Sequence, residues 1–214
     1  MKTARTVLFQ GDSITDCGRR NCGGEGFDCH GMGPGYPGMV AAQLACDRPE
    51  LELDFVNLGI SGNRVSNLYD RWQEDCINLH PDVLSILIGV NDIWHFFKRN
   101  ELPDVPRFAR VYRELLTWTR RELPHVKLVL MDPFLSPEVE NRYPMVPDVA
   151  KERRIVAELA KDFDAIHVRL QEVFDAAAKR APQAHWSADG VHPTPAGQQL
   201  IAEAWIAATS GLWE

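Results

Sequence analysis

Four short segments carry the residues of this sequence that are suited to chemistry at a carbonyl group. They hold a serine, several glycines and asparagines, and near the C-terminus an aspartate and a histidine; in order they are GDSIT at 11–15, NLGISGN at 57–63, GVND at 89–92 and DGVHP at 189–193. A serine hydroxyl becomes an effective nucleophile when a neighbouring base takes its proton. Histidine suits that task because its pKa lies near neutrality.

Each segment has a plainer explanation when it is taken alone. Ser13 could be the N-cap of a helix, and Asn91 could cap the stretch 92–97. An aspartate before glycine, as at Asp189, is common turn chemistry, and His192 could merely lead into the last helix. His192 is, however, the only one of seven histidines in a D-x-x-H-P setting, and four such segments in this order are hard to explain as turns.

The elements that must position these segments are short apolar runs that alternate with longer amphipathic stretches. Near-continuous apolar runs are typical of parallel strands that are covered on both faces. The predicted strands are Thr6–Gln10, Leu53–Asn57, Val83–Ile88, Val126–Met131 and Ala165–Val168. The predicted helices are Pro37–Ala45, Asn67–Leu79, Pro106–Glu122, Asp148–Asp162, Leu170–Lys179 and Ala196–Thr209.

This alternation predicts an α/β fold, a three-layer α/β/α sandwich around a five-stranded parallel sheet. In open sheets of this kind, sites lie beyond the carboxyl ends of the strands. The first three chemical segments follow the first three predicted strands. A length of 214 residues fits a single domain, residues 1–214.

The four segments resemble those of the SGNH (GDSL-like) hydrolase superfamily, whose four eponymous residues are matched by Ser13, Gly62, Asn91 and His192. The resemblance covers nearly the whole chain and implies that the expected fold is flavodoxin-like. The flanking residues, in GDSITDCGR, GISGN, DRWQED and IGVNDIWH, resemble more narrowly those of intracellular acetylxylan esterases.

The resemblance implies a serine esterase mechanism in which Ser13 is the nucleophile, His192 the general base and Asp189 the residue that orients the imidazole. It also implies three donors to the oxyanion of the tetrahedral intermediate: the backbone N–H groups of Ser13 and Gly62 and the side-chain amide of Asn91. Such donors matter because negative charge develops on the carbonyl oxygen in the transition state. This chemistry requires no metal and no cofactor.

Other polar and aromatic residues near these segments receive different interpretations. Asp12 and Asp92 are predicted to accept hydrogen bonds that fix loops, and the glycine-rich stretch 23–38 is predicted to be an active-site or interface loop. Trp186, just before the Asp–His segment, is a candidate substrate-binding residue, with simple packing as the equally weighted alternative.

Composition bounds the partners. A net charge of −7 without any run of Lys and Arg disfavours nucleic acid as a partner. The sequence contains no apolar run of transmembrane length, so no membrane association is predicted. The five cysteines are odd in number and lack zinc-ligand spacing, which favours reduced thiols; a disulfide or metal contact among Cys17, Cys22 and Cys29 is the alternative. The short apolar stretch 7–9 does not make a signal peptide, so a cytoplasmic location is predicted.

The predicted reaction is hydrolysis of a small acyl ester, with acetylated xylo-oligosaccharides or other acetylated sugars as the substrate that the resemblance implies. The alternatives are a lysophospholipase or thioesterase acting on longer acyl chains, and an inactive carbohydrate-binding protein. Homo-oligomeric assembly is a further expectation from the resemblance.

Overall fold

A five-stranded parallel sheet forms the centre of the molecule. The structure is a computed structural model of the chain, and it describes residues 5–19, 23–24, 27–28, 31–99 and 101–214. The sheet contains β1 (Arg5–Gly11), β2 (Leu53–Asn57), β3 (Val83–Leu87), β4 (Lys127–Met131) and β5 (Ile166–Val168), in the order β2-β1-β3-β4-β5. All neighbouring pairs are parallel. The predicted fold class is confirmed, and each strand end lies within one residue of its prediction.

The helices follow the strands in alternation. They are α1 (Ser13–Asp16), α2 (Tyr36–Asp47), α3 (Val65–Asp70), α4 (Trp72–Asp75), α5 (Val90–Lys98), α6 (Val105–Glu122), α7 (Val146–Asp162), α8 (Leu170–Ala178), α9 (Gln183–Trp186) and α10 (Pro195–Thr209), with short 3₁₀ turns at Pro49–Leu51, Ile77–Leu79, Val139–Asn141, Tyr143–Met145 and Ser210–Leu212. Within the ranges that the structure describes, no helix is both long and apolar enough to span a bilayer.

Alternate residues of each strand face opposite helical layers, which produces two apolar cores. Val7 and Phe9 of β1 belong to the core that α2, α8 and α10 cover, and Leu8 between them belongs to the core that α3, α4, α6 and α7 cover. Both faces of the sheet are therefore covered by helices, and this explains the apolar runs in its strands.

The predicted helix Asn67–Leu79 is wrong as a single element. The chain forms α3, α4 and the 3₁₀ turn Ile77–Leu79 instead, with non-helical backbone at Arg71 and Cys76. Leu68, Trp72 and Cys76 are all buried in the second core, and their four-residue spacing is that of one face of a continuous helix. The burial pattern in the sequence therefore does not reveal the two breaks. The remaining predicted helices are confirmed within two residues at either end.

Two predictions fall partly outside the described residues. In the glycine-rich stretch 23–38, Gly23–Gly24 pairs with Phe27–Asp28 as a short antiparallel ladder, and α2 begins at Tyr36. Cys22 and Cys29 lie outside the described residues. Of the described cysteines, Cys17, Cys46 and Cys76 are free thiols.

Candidate active site

The turn after β1 places Ser13 at the carboxyl edge of the sheet. β1 ends at Gly11, and Ser13 is the first residue of α1. The N-cap of α1 is Asp12, whose Oδ1 accepts a hydrogen bond from the Ile14 N–H at 3.0 Å. Ser13 is therefore not the cap, and its hydroxyl is free for another partner.

A chain of two hydrogen bonds links Ser13, His192 and Asp189. The Ser13 Oγ lies 2.8 Å from Nε2 of His192. The other ring nitrogen, Nδ1, lies 2.8 Å from Oδ2 of Asp189. This is the arrangement in which an imidazole that carries its proton on Nδ1 accepts the serine proton on Nε2.

The segment that carries Asp189 and His192 is a tight loop between α9 and α10. It is closed by a bridge between Ser187 and Pro193 and by a hydrogen bond from the Ala188 N–H to the His192 carbonyl at 2.8 Å. Gly190 within it has φ +86°, a backbone conformation that glycine adopts without strain. The N-cap of α10 is Thr194, so His192 lies before that helix rather than in it.

Asp189 is held as a carboxylate by the same loop. Its Oδ1 accepts hydrogen bonds from the N–H groups of Val191 at 3.0 Å and His192 at 2.8 Å. Burial alone would raise the pKa of Asp189, but the hydrogen bonds from the backbone and ring of His192 and from Val191 outweigh burial and lower this pKa below 3.8. Asp189 is thus ionised at neutral pH and can stabilise an imidazolium beside it.

The three candidate oxyanion donors lie in loops that follow adjacent strands. Because β1 stands between β2 and β3, the loops that carry Gly62 and Asn91 flank the loop that carries Ser13. Among the described residues, no acceptor pairs with the backbone N–H of Ser13 or of Gly62. The Asn91 amide donates one hydrogen bond to the Asn63 carbonyl at 3.2 Å, which leaves its second hydrogen available.

Hydrogen bonds tie these three loops to one another. Asn57 donates to the Thr15 carbonyl at 2.8 Å, and the Ile60 N–H donates to the Gly11 carbonyl at 3.1 Å. Asp92 joins the second and third loops because its Oδ2 accepts from the Val65 N–H at 3.0 Å. Both Asp12 and Asp92 therefore fix loops, as the sequence predicted. Asn91 is the second residue of α5, whose N-cap is Gly89, so the capping alternative is wrong.

Three buried acids lie behind these loops, and their charged forms are disfavoured. Burial raises the pKa of Asp12 and of Asp92 to about 7 in each case, against the hydrogen bonds that they accept. Burial also raises the pKa of Glu152 well above its usual value, and the negative charges of Asp92 and Asp148 add to the effect. Neither carboxyl oxygen of Glu152 has a partner among the described residues.

Trp186 is a packed side chain. It is 9% exposed, its indole N–H donates to the Ala181 carbonyl at 3.3 Å, and the Arg180 guanidinium lies 5.0 Å from the centre of its ring. These contacts favour the packing alternative over a substrate-binding role. No group of three or more His, Cys, Asp or Glu side chains in the described ranges is placed to hold a metal ion.

The structure also adds two residues to which sequence reasoning gave no role. The Trp94 ring lies against the ring of His192, and the Arg142 side chain donates to the Asp189 carbonyl at 2.9 Å. The sequence could have pointed to Trp94, since it stands three residues after Asn91 on one helix face. It could not have pointed to Arg142, since this residue precedes Asp189 by 47 positions.

A doubly wound parallel sheet with a hydrogen-bonded serine, histidine and aspartate at its carboxyl edge defines the class of serine hydrolases. Comparison with known families is in agreement: residues 9–200 match the GDSL-like lipase/acylhydrolase family, and the chain belongs to that family. It is accordingly a GDSL-type carboxylic-ester hydrolase.

Individual relatives are similar over nearly the full chain. An acetylxylan esterase of Geobacillus stearothermophilus is 38% identical over 206 residues, which cover 94% of this chain and 91% of the relative. The crystal structure of an acetylxylan esterase from the same organism has a TM-score of 0.85 at 34% identity, with 100% and 98% of the two chains covered. A structure described as a GDSL-like lipase, from Parabacteroides merdae, has a TM-score of 0.89 at 40% identity, with 98% and 97% covered.

Proposed function

We propose that this esterase removes acetyl groups from sugar hydroxyls, with acetylated xylo-oligosaccharides as the substrate class, through an acyl-enzyme on Ser13. The observation that carries the mechanism is the pair of 2.8 Å contacts that join Ser13, His192 and Asp189. The substrate class is supported by the similarity to the Geobacillus acetylxylan esterase.

The relatives lend the mechanism a second support. Two solved structures of an acetylxylan esterase from the same Geobacillus species are described as catalytic mutants, one with a serine and one with a histidine replaced by alanine. The two replaced positions stand 179 residues apart, the same separation as Ser13 and His192.

In the first half of the reaction His192 acts as the base. Its Nε2 takes the Ser13 proton while Oγ attacks the carbonyl carbon of the ester, and the carbonyl oxygen becomes an oxyanion. The N–H groups of Ser13 and Gly62 and the amide of Asn91 donate to that oxyanion. As the tetrahedral intermediate collapses, the imidazolium returns the proton to the leaving sugar oxygen. The products are the free alcohol and an acetyl ester of Ser13.

In the second half water replaces the sugar. His192 takes a proton from water, the resulting hydroxide attacks the acetyl carbonyl, and a second oxyanion forms at the same donors. Collapse expels the Ser13 oxygen, which regains its proton from His192, and acetate is released. Throughout both halves Asp189 stays ionised and holds the imidazole in the tautomer that has Nε2 free to accept.

The first experiment is to measure acetate release from acetylated xylo-oligosaccharides, with 4-nitrophenyl acetate and 4-nitrophenyl octanoate alongside and Ser13→Ala as the control. Rapid release from the sugar that is lost in Ser13→Ala supports the whole proposal. If the enzyme hydrolyses the octanoate ester but not the acetylated sugar, the proposed substrate is wrong and an ester of a longer acyl chain takes its place. Equal activity of Ser13→Ala and wild type contradicts the mechanism.

Two further proposals rest on the sequence rather than on the geometry of the site. We expect the enzyme to form a homo-oligomer and to act in the cytoplasm. Light scattering across working concentrations tests the first, since a species of the mass of one chain at every concentration would contradict it. Fractionation of cells that produce the protein tests the second.

A further inference from the structure

The imidazole of His192 is supported on one side by an aromatic ring. The ring centroids of Trp94 and His192 are 5.4 Å apart, and the ring planes are inclined by 55°. Trp94 is 7% exposed and belongs to α5, the helix whose second residue is Asn91. A single helix therefore carries both a candidate oxyanion donor and a surface against which the candidate base lies.

Two cations lie over the same indole ring. The ammonium of Lys98 is 3.9 Å from the ring centre, and the guanidinium carbon of Arg142 is 5.1 Å from it. Lys98 comes from the next turn of α5, so its contact is local. Arg142 comes from the connection between β4 and α7, so its contact joins two separate parts of the chain. Cations are attracted to the face of an indole, which makes both contacts favourable.

Arg142 also holds the loop that contains Asp189 and His192. Its Nε donates to the Asp189 carbonyl at 2.9 Å. At Gly190 an added Cβ would lie 2.6 Å from Cγ of Arg142, so the two residues are packed in direct contact. The same loop receives a second support from the connection, because the Ser136 N–H donates to the Gly190 carbonyl at 2.9 Å.

Both contacts of Arg142 therefore act on the position of His192. Through Asp189 it fixes the loop from which the imidazole projects, and through Trp94 it fixes the ring against which the imidazole lies. The Arg142 side chain is 11% exposed, and its ion pair with Glu140 reaches toward solvent, since that partner is 59% exposed. The guanidinium of arginine is planar and carries N–H groups at its edge, so it can lie over an aromatic ring and donate a hydrogen bond sideways at the same time. The ammonium of lysine is a compact point charge without such a plane.

We propose that Arg142 is a positioning residue of this esterase, which holds the Asp189–His192 loop and Trp94 in register so that Nε2 of His192 stays within hydrogen-bond distance of Ser13. This inference rests on the proposed roles of Ser13, His192 and Asp189. It predicts an effect on turnover rather than on substrate binding, because Arg142 acts on the base and not on the ester.

The test compares Arg142→Ala and Arg142→Lys with wild type on 4-nitrophenyl acetate. We measure kcat per active site titrated with an organophosphonate, KM, the melting temperature and the downfield proton NMR signal of the His192 Nδ1–H. We expect Arg142→Ala to lower kcat about 10- to 100-fold, the cost of a misplaced catalytic group, with little change in KM and with the NMR signal shifted or lost. Arg142→Lys should restore only part of kcat.

Arg120→Ala is the matched control, because Arg120 also donates to backbone carbonyls, those of Val126 and Phe163, but away from Ser13 and His192. We expect it to lower the melting temperature without changing kcat per active site or the NMR signal. If Arg142→Ala does the same as this control, Arg142 is a purely structural residue and the proposal is overturned.

The remaining outcomes are also decisive. Full activity of Arg142→Lys would overturn the proposed combination of ring contact and N–H donation, since positive charge alone would then suffice. Should Arg142→Ala fail to fold, Arg142→Lys decides, because a wild-type kcat contradicts the proposal and a reduced kcat with a changed NMR signal supports it. Ser13→Ala in the same assay separates this inference from the proposed function: if Ser13→Ala is active, the mechanism itself has failed.

Discussion

Asp189 binds His192 at two points, once at the ring and once at the backbone. Its Oδ2 lies 2.8 Å from Nδ1, and its Oδ1 accepts from the His192 N–H, also at 2.8 Å. A three-residue spacing makes both contacts possible within one loop. A single side chain therefore both sets the tautomer of the imidazole and holds the backbone from which the ring projects.

The first prediction follows from that double contact. In Asp189→Asn an amide N–H can donate to Nδ1 of His192, which places the ring proton on Nε2 and prevents acceptance of the Ser13 proton. We expect kcat on 4-nitrophenyl acetate to fall by about 10⁴, the effect of the equivalent change in serine proteases. The melting temperature should change much less, because the amide oxygen can still accept from the loop N–H groups.

Asp104→Asn is the matched control for that variant. Asp104 caps α6 by accepting from the Arg107 N–H at 3.0 Å, and asparagine caps helices about as well as aspartate. We expect its kcat to equal that of wild type. A fall of less than about tenfold in Asp189→Asn would exclude Asp189 as the orienting residue.

A second prediction concerns the amide of Asn91. Asn91→Ala removes a donor to the oxyanion, so kcat should fall by about 10²–10³ while KM changes little. Steady-state kinetics on 4-nitrophenyl acetate checks this. Asn78→Ala is the control, since the exposed Asn78 side chain only accepts a hydrogen bond from Gln73 at 2.7 Å. Equal kcat in the two variants would remove Asn91 from the oxyanion site.

A third prediction concerns the backbone at Gly62. This residue has φ +83°, and an added Cβ would meet no atom of the described residues within 4 Å. Gly62→Ala therefore introduces no clash with that part of the chain, but it disfavours the left-handed backbone that aims the N–H by about 1–2 kcal/mol. If the turn relaxes, the oxyanion loses a donor, and we expect kcat/KM to fall about tenfold or more, up to the 10²–10³ of a lost donor.

Gly211→Ala provides the comparison for Gly62→Ala. At Gly211, too, an added Cβ meets no atom within 4 Å in the ranges that the structure describes, but the backbone there is not left-handed. We expect wild-type kcat/KM in this variant. Unchanged kcat/KM in Gly62→Ala, together with a lowered melting temperature, would show that Gly62 serves the fold alone.

The fourth prediction is a dependence of stability on pH that originates at Glu152. Its side chain is fully buried, and burial raises its pKa well above 4.5. The native state therefore keeps a proton that the unfolded chain loses above about pH 4.5. The contribution of Glu152 to stability is fully present below that pH and is lost as the pH rises toward the raised pKa, by at most about 1.4 kcal/mol per pH unit.

Glu152→Gln removes this ionisation and keeps the shape of the side chain. We expect the free energy of unfolding of the variant, measured relative to wild type by urea denaturation, to increase as the pH rises above about 4.5. Asp12 and Asp92 are present in both proteins, and the charge of Asp92 acts on this difference through the pKa of Glu152, which it raises. Glu158→Gln, at an exposed position of the same helix, should show a constant difference. A constant difference for Glu152→Gln would contradict a protonated, buried Glu152.

The sequence by itself determined the elements and the segments with chemistry. Apolar runs that are buried on both faces identified all five strands within one residue, because the hydrophobic pattern of a parallel strand is a local property. The spacing of Asp189 and His192 likewise made their contact foreseeable, since both lie in one short loop. The segmentation of 67–79 was not foreseeable, because Leu68, Trp72 and Cys76 follow one another at the four-residue spacing of one face of a continuous helix.

Only the tertiary structure decided which of these segments meet. The contact between Ser13 and His192 spans 179 positions, and it depends on a strand order that no local pattern encodes. The same is true of Arg142, whose partners Trp94 and Asp189 come from distant parts of the chain. Trp186 is the opposite example: it lies next to the Asp189–His192 segment in sequence, but its side chain is buried in the core. Local propensity is set by neighbouring residues, whereas long-range contacts follow from the packing of the whole sheet and its helices.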